Sequence, residues 1–242
     1  MKMFKNTILA ASLLGFAGSA QAVLINFQAL ADGSIGESGW STFNTAADAA
    51  APVNIDVTAT GATGGASTVY FDSGEAGLGV CSSGLKAGVA EGARPFSKAN
   101  VCNIASDDNM DQAGEALNFT FNESTSVNGI WFNNNDDWDY SLNDNTVVFT
   151  LNGSVSEQYL FTAADMLDKP SATTGLGWLF TFDSLASIDS FFSAGDTLTI
   201  SFGGRNPEQF YVAAIDVPEP AIVALLGLGL VGIAAARRSR QA

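Results

Sequence analysis

Residues 53–58 read Val-Asn-Ile-Asp-Val-Thr, with apolar side chains at every second position and polar side chains between them. Successive side chains of a strand point to opposite faces of a sheet, so this pattern predicts a half-buried β-strand. The same alternation recurs in residues 117–122, Leu-Asn-Phe-Thr-Phe-Asn, and in residues 197–202, Thr-Leu-Thr-Ile-Ser-Phe. These segments, spread along the chain, indicate sheets with one buried face.

Other short apolar segments bounded by Gly, Asn, Asp and Ser are predicted strands as well. They are residues 23–29, 68–71, 127–132, 146–151, 158–162, 178–182 and 209–215. Only residues 163–167 and 184–192 look locally helical, and residues 31–51 are predicted to be a loop. Many short strands without long helical periodicity are typical of sandwiches and jelly rolls. The predicted fold is therefore all-β, a single β-sandwich or jelly-roll-like domain.

The N-terminus has the features of a secretory signal peptide. Basic Lys2 and Lys5 precede an apolar run over residues 8–17, and the small-residue site Ala20-Gln21-Ala22 follows. That order of features is typical of a cleaved signal. The run is shorter than the about 20 apolar residues that a spanning helix needs. Residues 1–22 are predicted to be removed, with Ala20 and Ala22 forming the cleavage signal, so that the mature chain begins at Val23.

The C-terminus carries a second targeting pattern over residues 218–242. Pro218-Glu219-Pro220 is followed by an uncharged apolar run at 221–236 and then by an arginine cluster. The arginines of that cluster are Arg237, Arg238 and Arg240. As a helix the run would cover roughly 24 Å, a little less than the roughly 30 Å of a hydrocarbon core. Arginines just beyond it favour the cytoplasmic side, so the transmembrane helix would leave the preceding domain outside the cell.

The segment Val217-Pro218-Glu219-Pro220-Ala221, together with the apolar run and the arginines, resembles the PEP-CTERM proteins of Gram-negative bacteria. In that family the tail is read by an exosortase, a membrane-embedded processing enzyme. The resemblance implies an inner-membrane intermediate, cleavage near the motif, and delivery to the cell surface or to an exopolysaccharide matrix. Other sorting tails follow the same logic, since a short signal and an apolar tail are removed from the mature protein.

Residues 23–217, between the two targeting segments, are predicted to form one exported ectodomain. This range holds 24 acidic residues (25 minus Glu219) against five basic ones, which gives a net charge of −19. The basic residues are Lys86, Arg94, Lys98, Lys169 and Arg205. Nucleic acids and anionic lipids are bound through clustered Lys and Arg, so neither is expected as a partner. An acidic surface of this kind attracts divalent cations.

Histidine is absent from the whole chain. This excludes Ser-His-Asp and Cys-His catalysis and every metal site that depends on imidazole. A pair of carboxylates, as in glycoside hydrolases, is the enzymatic chemistry that remains open.

The chain contains two cysteines, Cys81 and Cys102, and both lie in the predicted ectodomain. Exported proteins enter oxidising compartments, where paired thiols form disulfides. The sequence between them is rich in Gly, Ser and Ala, which have little capacity to order a segment by packing. A Cys81–Cys102 disulfide is therefore predicted, with a stabilising effect of roughly 3 kcal/mol from the loop that it closes.

A first acidic cluster precedes the alternating segment at 117–122. Its carboxylates are Asp107, Asp108, Asp111 and Glu115. The opening spacing imitates an EF-hand loop, but Gln112 stands where the turn glycine belongs and Asn118 where the final glutamate belongs. An EF-hand is therefore not predicted, whereas oxygen ligands from a loop and an adjoining strand suit Ca²⁺ in a less regular site.

A second acidic cluster follows the predicted strand at 127–132. It reads Asn-Asn-Asn-Asp-Asp-Trp-Asp over residues 133–139, with its carboxylates at Asp136, Asp137 and Asp139. Calcium is predicted here as well, and Trp138 is a candidate carbohydrate contact because it lies inside a polar loop. The alternative for both clusters is a solvated turn, since Asn and Asp are ordinary turn residues.

The leading functional hypothesis is an exported surface or matrix protein with no enzymatic activity. Its role would be structural or adhesive within the exopolysaccharide of a biofilm. Two alternatives remain open at this point, a calcium-dependent carbohydrate-binding module and a carboxylate-pair glycoside hydrolase. Fold alone does not separate them, because sandwiches and jelly rolls support all of these functions.

Overall fold

Antiparallel strands make up most of the chain that the computed structural model describes. The described residues are 22–47, 51, 53–62, 67–74, 76–92, 101–104, 109–133, 146–165, 176–203 and 209–218. Leu24–Val217 form one compact unit. Within the described residues no helix is long and apolar enough to cross a membrane. The predicted helix at 221–236 lies outside them.

The described elements are, in chain order, one short helix, three 3₁₀ turns and a series of strands. The first part comprises β1 (Ala22–Asn26), α1 (Phe27–Asp32), β2 (Ser38–Trp40), β3 (Phe43–Asn44), β4 (Ile55–Thr60), β5 (Thr68–Asp72), β6 (Gly77–Cys81), β7 (Ala116–Phe121) and β8 (Thr125–Ser126). The second part comprises β9 (Gly129–Asn133), β10 (Thr146–Leu151), β11 (Val155–Leu160), β12 (Trp178–Phe180), β13 (Phe191–Phe192), β14 (Thr197–Phe202) and β15 (Tyr211–Pro218). The 3₁₀ turns are Thr45–Ala47, Ala163–Asp165 and Phe182–Ser184.

These strands form two large sheets and one small one. A six-stranded sheet has the order β11-β10-β14-β7-β4-β3, and a seven-stranded sheet has the order β12-β9-β15-β6-β5-β2, with β1 also paired to β15. β8 and β13 make a separate two-stranded sheet. The predicted all-β fold is confirmed, and its architecture is that of a sandwich.

The core between the two large sheets is strongly aromatic. Phe149 of β10 stacks on Phe180 of β12 with ring centroids 4.1 Å apart. Phe43 of β3 meets Phe71 of β5 edge to face at 4.7 Å. Rings of the six-stranded sheet thus pack on rings of the seven-stranded sheet, and aromatic pairs of this kind add to the stabilisation that comes from buried area.

The structure corrects three local predictions. The strand predicted at 23–29 ends at Asn26, because the Asn26 side chain accepts a hydrogen bond from Ala29 N at 2.8 Å and caps α1. The loop predicted at 31–51 contains β2 and β3. The helical segment predicted at 184–192 is irregular and ends in β13. In each case short-range capping or pairing with a distant strand outweighs local composition.

Candidate functional site

The disulfide closes a small cluster on the seven-stranded sheet. Cys81 and Cys102 are bonded with their Cα atoms 5.8 Å apart, and neither side chain is exposed. They pack with buried Tyr70 and Val101. The backbone N–H of Lys86 donates to Val101 O at 2.9 Å, which adds a main-chain link inside the closed loop. The predicted disulfide is confirmed, and it fixes part of a glycine-rich segment against the outside of the sheet.

A buried tyrosine and glutamate anchor the same cluster. The Tyr70 hydroxyl donates to Glu37 Oε1 at 2.6 Å, and Ser73 Oγ donates to Glu37 Oε2 at 3.2 Å. Burial, together with the neighbouring Glu37 carboxylate, raises the pKa of Tyr70. Val101 N also donates to the Tyr70 hydroxyl, at 3.3 Å. These groups satisfy one another's hydrogen-bonding capacity, so the arrangement has a structural role.

Glu115 is fully buried immediately before β7. Its Oε1 accepts a hydrogen bond from Ser82 Oγ at 2.6 Å. Its Oε2 accepts from the backbone N–H groups of Asp111 and Gln112, each at 3.0 Å. Burial raises the pKa of Glu115 above its ordinary value, and these hydrogen bonds offset part of the rise. The carboxylate therefore fastens the turn at 111–115 to the residue that follows β6.

Of the predicted calcium ligands, Asp111 and Glu115 lie within the described residues, at opposite ends of that turn. In this part of the chain no group of three or more Cys, Asp or Glu side chains is placed to hold a metal ion. A cation at Glu115 would have to compete with the donors that its oxygens already accept. The other predicted residues lie outside the described part, and their calcium or carbohydrate contacts stay predictions: Asp107, Asp108, Asp136, Asp137, Trp138 and Asp139.

The outer face of the six-stranded sheet carries a row of polar side chains. Strand register places Thr58 opposite Asn118, Asn118 opposite Thr199, and Thr199 opposite Thr150. Ser156 of β11 continues the row beside Thr150. We call these five residues the hydroxyl row. Neighbouring strands lie about 4.8 Å apart, so the row extends over roughly 19 Å.

The row is hydrogen-bonded across strands and still reaches solvent. Thr199 Oγ1 donates to Asn118 Oδ1 at 2.8 Å, and Asn118 Nδ2 donates to Thr60 Oγ1 at 3.2 Å. The hydroxyls of Thr150 and Ser156 are 2.7 Å apart. A hydroxyl has one donor and two acceptor positions, so each retains capacity for an external partner.

The charge of this face differs from that of the domain. The six strands contain no lysine or arginine, and Asp56 is the one carboxylate at their outward positions. Both Asp56 oxygens are occupied, because Asn44 Nδ2 donates to Oδ1 at 2.6 Å and Asn122 Nδ2 donates to Oδ2 at 2.9 Å. The hydroxyl row therefore lies on a nearly uncharged, hydrogen-bonding surface.

Sequence reasoning did not identify the hydroxyl row. Its members occupy the polar positions of the alternating segments, so the pattern indicated which face each one lies on. The pattern does not give the register between strands, and Thr199 and Asn118 are 81 positions apart. No local property of either segment predicts that those two side chains meet.

The residues predicted for processing lie at strand ends or beyond the described chain. Ala22 is the first residue of β1 and Pro218 is the last residue of β15. Outside the described residues lie Ala20, Glu219, Pro220, Arg237, Arg238 and Arg240. The division into signal peptide, ectodomain and tail stays a prediction.

An all-β sandwich closed by a disulfide is a protein class suited to an oxidising compartment. Residues 216–240 match the family model described as PEP-CTERM protein-sorting motif. The motif supports export, passage through a membrane-anchored intermediate, and sorting by an exosortase before the cell surface is reached. No curated protein and no solved structure matches the chain.

Proposed function

We propose that this protein is a non-catalytic structural or adhesive component of the exopolysaccharide matrix at the surface of a Gram-negative bacterium. The sorting motif supports delivery to that location. The observation that carries the matrix role is the hydroxyl row, an array of hydrogen-bonding groups across five strands.

Charge identifies the kind of polymer that the row would bind. The domain carries a net charge of −19 between residues 23 and 217, counted above, which disfavours a polyanion. The row itself offers hydroxyl and amide groups without a cation. A neutral, polyhydroxylated polysaccharide is complementary to such a surface, because it exchanges hydrogen bonds and needs no counter-charge.

Chemistry supports binding over catalysis. The chain has no histidine, so the commonest general base is missing. Within the described residues, the one carboxylate on this face that could act as a base is that of Asp56. Asp56, the carboxylate of that face, accepts hydrogen bonds from two asparagines at 2.6 and 2.9 Å and is engaged in holding strands together.

The proposal is tested with full-length chains produced in the native host. The wild type should co-purify with washed exopolysaccharide. A variant with Thr58→Val, Thr150→Val and Thr199→Val should be exported and processed equally but released by washing. Each net hydrogen bond contributes roughly 0.5–1.5 kcal/mol, so losing three should weaken retention by about tenfold or more. Thr125→Val removes a hydroxyl from the separate two-stranded sheet and serves as the matched control.

Salt provides a second readout of the same binding. Contacts between a neutral polymer and uncharged side chains should change little between low and high ionic strength, whereas ionic contacts are screened. Retention that collapses in salt, or that survives the triple substitution, would contradict the assignment to the hydroxyl row. Release of reducing ends from the polymer by the wild type would contradict the non-catalytic role.

A further inference from the structure

One strand ends a sheet of this protein without the features that usually prevent further pairing. The strands at the ends of the two large sheets are β11, β3, β12 and β2. β3, β12 and β2 are two or three residues long, whereas β11 has six. β11 contains no proline, lysine or arginine, and its register with β10 runs without a bulge. Short length, proline, lysine and bulges commonly protect edge strands, and β11 lacks all four.

The second edge of β11 presents backbone donors and acceptors. Each of its six residues lies opposite a residue of β10 on the first edge. Among the described residues, no backbone group bonds to residues 155–160 from the other side. In an antiparallel pair, alternate residues direct their N–H and C=O groups to the partner strand, so about half of these groups in β11 point away from β10. A further strand could therefore pair with them.

The side chains of β11 are compatible with such a partner. Ser156, Gln158 and Leu160 are its exposed residues and lie on the outer face of the sheet. Leu160 is 39% exposed and offers apolar surface for burial. Glu157 is the one charged residue, and the backbone N–H groups of residues 186–187 donate to its two oxygens on the core side. A partner strand thus meets uncharged outer side chains and a carboxylate that is already engaged.

We propose that β11 pairs antiparallel with β11 of a second copy of this chain, about a two-fold axis perpendicular to the sheet. Length selects this partner, because the other described sheet ends could pair with at most three residues of β11. The symmetric contact uses the same edge of both copies, so assembly through it stops at a dimer. Six strands from each copy then form one continuous sheet.

The direction of the side chains determines the register of the dimer. Directly opposite residues of an antiparallel pair lie on the same face, so a continuous outer face pairs residues 156, 158 and 160 among themselves. Two such registers pair five of the six residues of β11, one centred on Glu157 and one on Gln158. The first brings two like charges directly opposite each other, which destabilises a strand pair. The dimer therefore has Gln158 opposite Gln158 of the second copy, and Leu160 opposite Ser156.

The dimer enlarges the surface that carries the hydroxyl row. The row ends at Ser156, on the strand that forms the interface. In the dimer both rows lie on one face of the continuous sheet, offset by four residues, or about 14 Å, along the strands. A polymer that reaches both rows is held at two places, which slows its release. This consequence rests on the proposed function, whereas the pairing of β11 does not.

A single engineered cysteine tests the register. Cys81 and Cys102 are the chain's own cysteines and are bonded to each other, so a new thiol has its partner in the second copy. Gln158→Cys places two thiols opposite each other with Cα atoms about 5 Å apart, which a disulfide spans. The sample is the exported protein recovered from the native host and freed of polysaccharide. Mild oxidation should convert most of it to a covalent dimer on a non-reducing gel.

The neighbouring outward position provides the matched control. Ser156→Cys places its thiol about 14 Å from the equivalent residue of the second copy, which is too far for a disulfide. Combining Ser156→Cys with Leu160→Cys should restore cross-linking, because each thiol then faces the other type. A covalent dimer from Ser156→Cys alone, or none from Gln158→Cys, would overturn the proposed pairing.

A charge exchange tests the same contact without cross-linking. Gln158→Lys and Gln158→Glu each place like charges opposite one another, so each should weaken dimerisation by about fivefold in sedimentation equilibrium. A one-to-one mixture of the two variants should recover dimerisation through mixed pairs, which also shows that both variants are folded. Ala194→Lys, in an exposed turn between β13 and β14, is the control and should sediment as the wild type does.

The outcomes separate the dimer from the proposed function. A wild type that stays monomeric over the whole dilution series, or a mixture that associates no better than its components, would overturn the dimer. A monomeric protein that still co-purifies with exopolysaccharide would overturn the dimer alone. A β11-paired dimer that washing releases from exopolysaccharide would support the dimer and contradict the proposed function.

Discussion

The two large sheets differ in whether their outer faces are covered by other residues. The six-stranded sheet alternates buried and solvent-reaching residues, as in β14, and among the described residues its outer face is open to solvent. In the seven-stranded sheet every residue of β6 is buried, and so are six of the eight residues of β15. The outer side of that sheet is covered by the disulfide cluster around Tyr70 and by a second cluster around Leu176. Strands that alternate mark an open sheet, whereas continuous burial marks a sheet covered on both sides.

This difference between the sheets predicts how much each region contributes to the free energy of unfolding. Residues between the sheets should contribute most, because their truncation leaves cavities in a packed interior. The disulfide cover should come next, and the open face of the six-stranded sheet should matter least to stability. Three measurements test this order, and two more test the acidic residues predicted to bind calcium.

The first and largest effect is expected at the aromatic core. Phe149 has no exposed surface and contacts Phe180 at 4.1 Å and Phe132 at 6.2 Å, measured between ring centroids. Phe149→Ala should lower the free energy of unfolding by about 3–5 kcal/mol, measured by urea unfolding. Phe191→Ala is the control, since that ring is 55% exposed and should change stability by less than about 0.5 kcal/mol. Equal losses would remove the distinction between core and surface.

The second effect concerns the cover of the seven-stranded sheet. Replacing both Cys81 and Cys102 by alanine removes a bond between residues 21 positions apart and should lower the free energy of unfolding by about 3 kcal/mol. Reduction of the wild type with a thiol reagent should give the same loss. Thiol labelling of denatured, unreduced wild type should find no free sulfhydryl. Labelling of two thiols would contradict the Cys81–Cys102 disulfide.

The third effect is the predicted calcium binding. Calcium that binds only the native state at a hundredfold excess over Kd adds about 2.7 kcal/mol, a shift of several degrees in Tm. The comparison is with Mg²⁺ at matched ionic strength, because Mg²⁺ demands stricter octahedral geometry. Asp111→Asn with Glu115→Gln should abolish the shift if the site is the turn at 111–115. Asp137→Asn should abolish it if the site is the second cluster.

Equal stabilisation by the two ions would assign both acidic clusters to solvated turns. The turn at 111–115 precedes β7, and the hydrogen bond from Ser82 Oγ to Glu115 ties it to the end of β6, so it links the covered sheet to the open one. A calcium effect confined to Asp111 and Glu115 would therefore mean that the ion strengthens the connection between the sheets.

How much of the fold follows from the sequence depends on which sheet is considered. β14 was predicted at 197–202 and is observed at Thr197–Phe202, because alternation exposes one face and buries the other. β6 escaped prediction because Gly77–Cys81 are all buried and show no alternation. Their outer cover is supplied partly by Val101 and Cys102, which the chain brings back through the disulfide. The cysteine pair predicted this return, but residues 77–81 by themselves do not indicate that their outer face is covered.

The candidate sites divide in the same way. The processing motif is contiguous in sequence, so reading Pro218-Glu219-Pro220 was sufficient to predict it. The hydroxyl row is assembled by pairings such as Thr58 with Asn118, and its existence depends on register. Glu115 was predicted as a calcium ligand because its charge is visible in sequence, whereas its burial and its three hydrogen bonds are not.

The fourth effect is a pH dependence at Glu115. Burial raises its folded-state pKa above the ordinary value of 4.5, with nearby Asp111 adding to the rise. Folding therefore favours the protonated form, and this contribution is fully present below pH 4.5 and is lost as the pH rises through the folded-state pKa. Glu115→Gln mimics the neutral form and should gain stability relative to the wild type over that window.

The measurement is urea unfolding of both proteins from acidic to neutral pH, using the difference between them so that other carboxylates cancel. In the variant the amide oxygen can accept from Asp111 N and Gln112 N while the NH₂ group donates to Ser82 Oγ. A difference that does not vary with pH, or that varies in the opposite direction, would show that the hydrogen bonds outweigh burial.

The fifth and smallest effect is expected on the open face. Thr199 donates to Asn118 Oδ1 at 2.8 Å, but both side chains reach solvent, so water can replace the lost hydroxyl in Thr199→Val. Valine also suits a strand at least as well as threonine. The free energy of unfolding should stay within about 0.5 kcal/mol of the wild type, by urea unfolding with an unchanged slope.

The matched control is the next residue of the same strand. Ile200 is fully buried on the inner face, and Ile200→Ala should lower the free energy of unfolding by about 2–5 kcal/mol. Residues 199 and 200 share a strand and a local backbone, so the contrast between them compares the outer face of the sheet with its buried face. If Thr199→Val instead destabilised by more than about 1.5 kcal/mol, the hydroxyl row would be a structural network that supports the sheet. Its side chains would then be engaged in hydrogen bonds with one another, and this result would contradict the proposal that the open face binds polysaccharide.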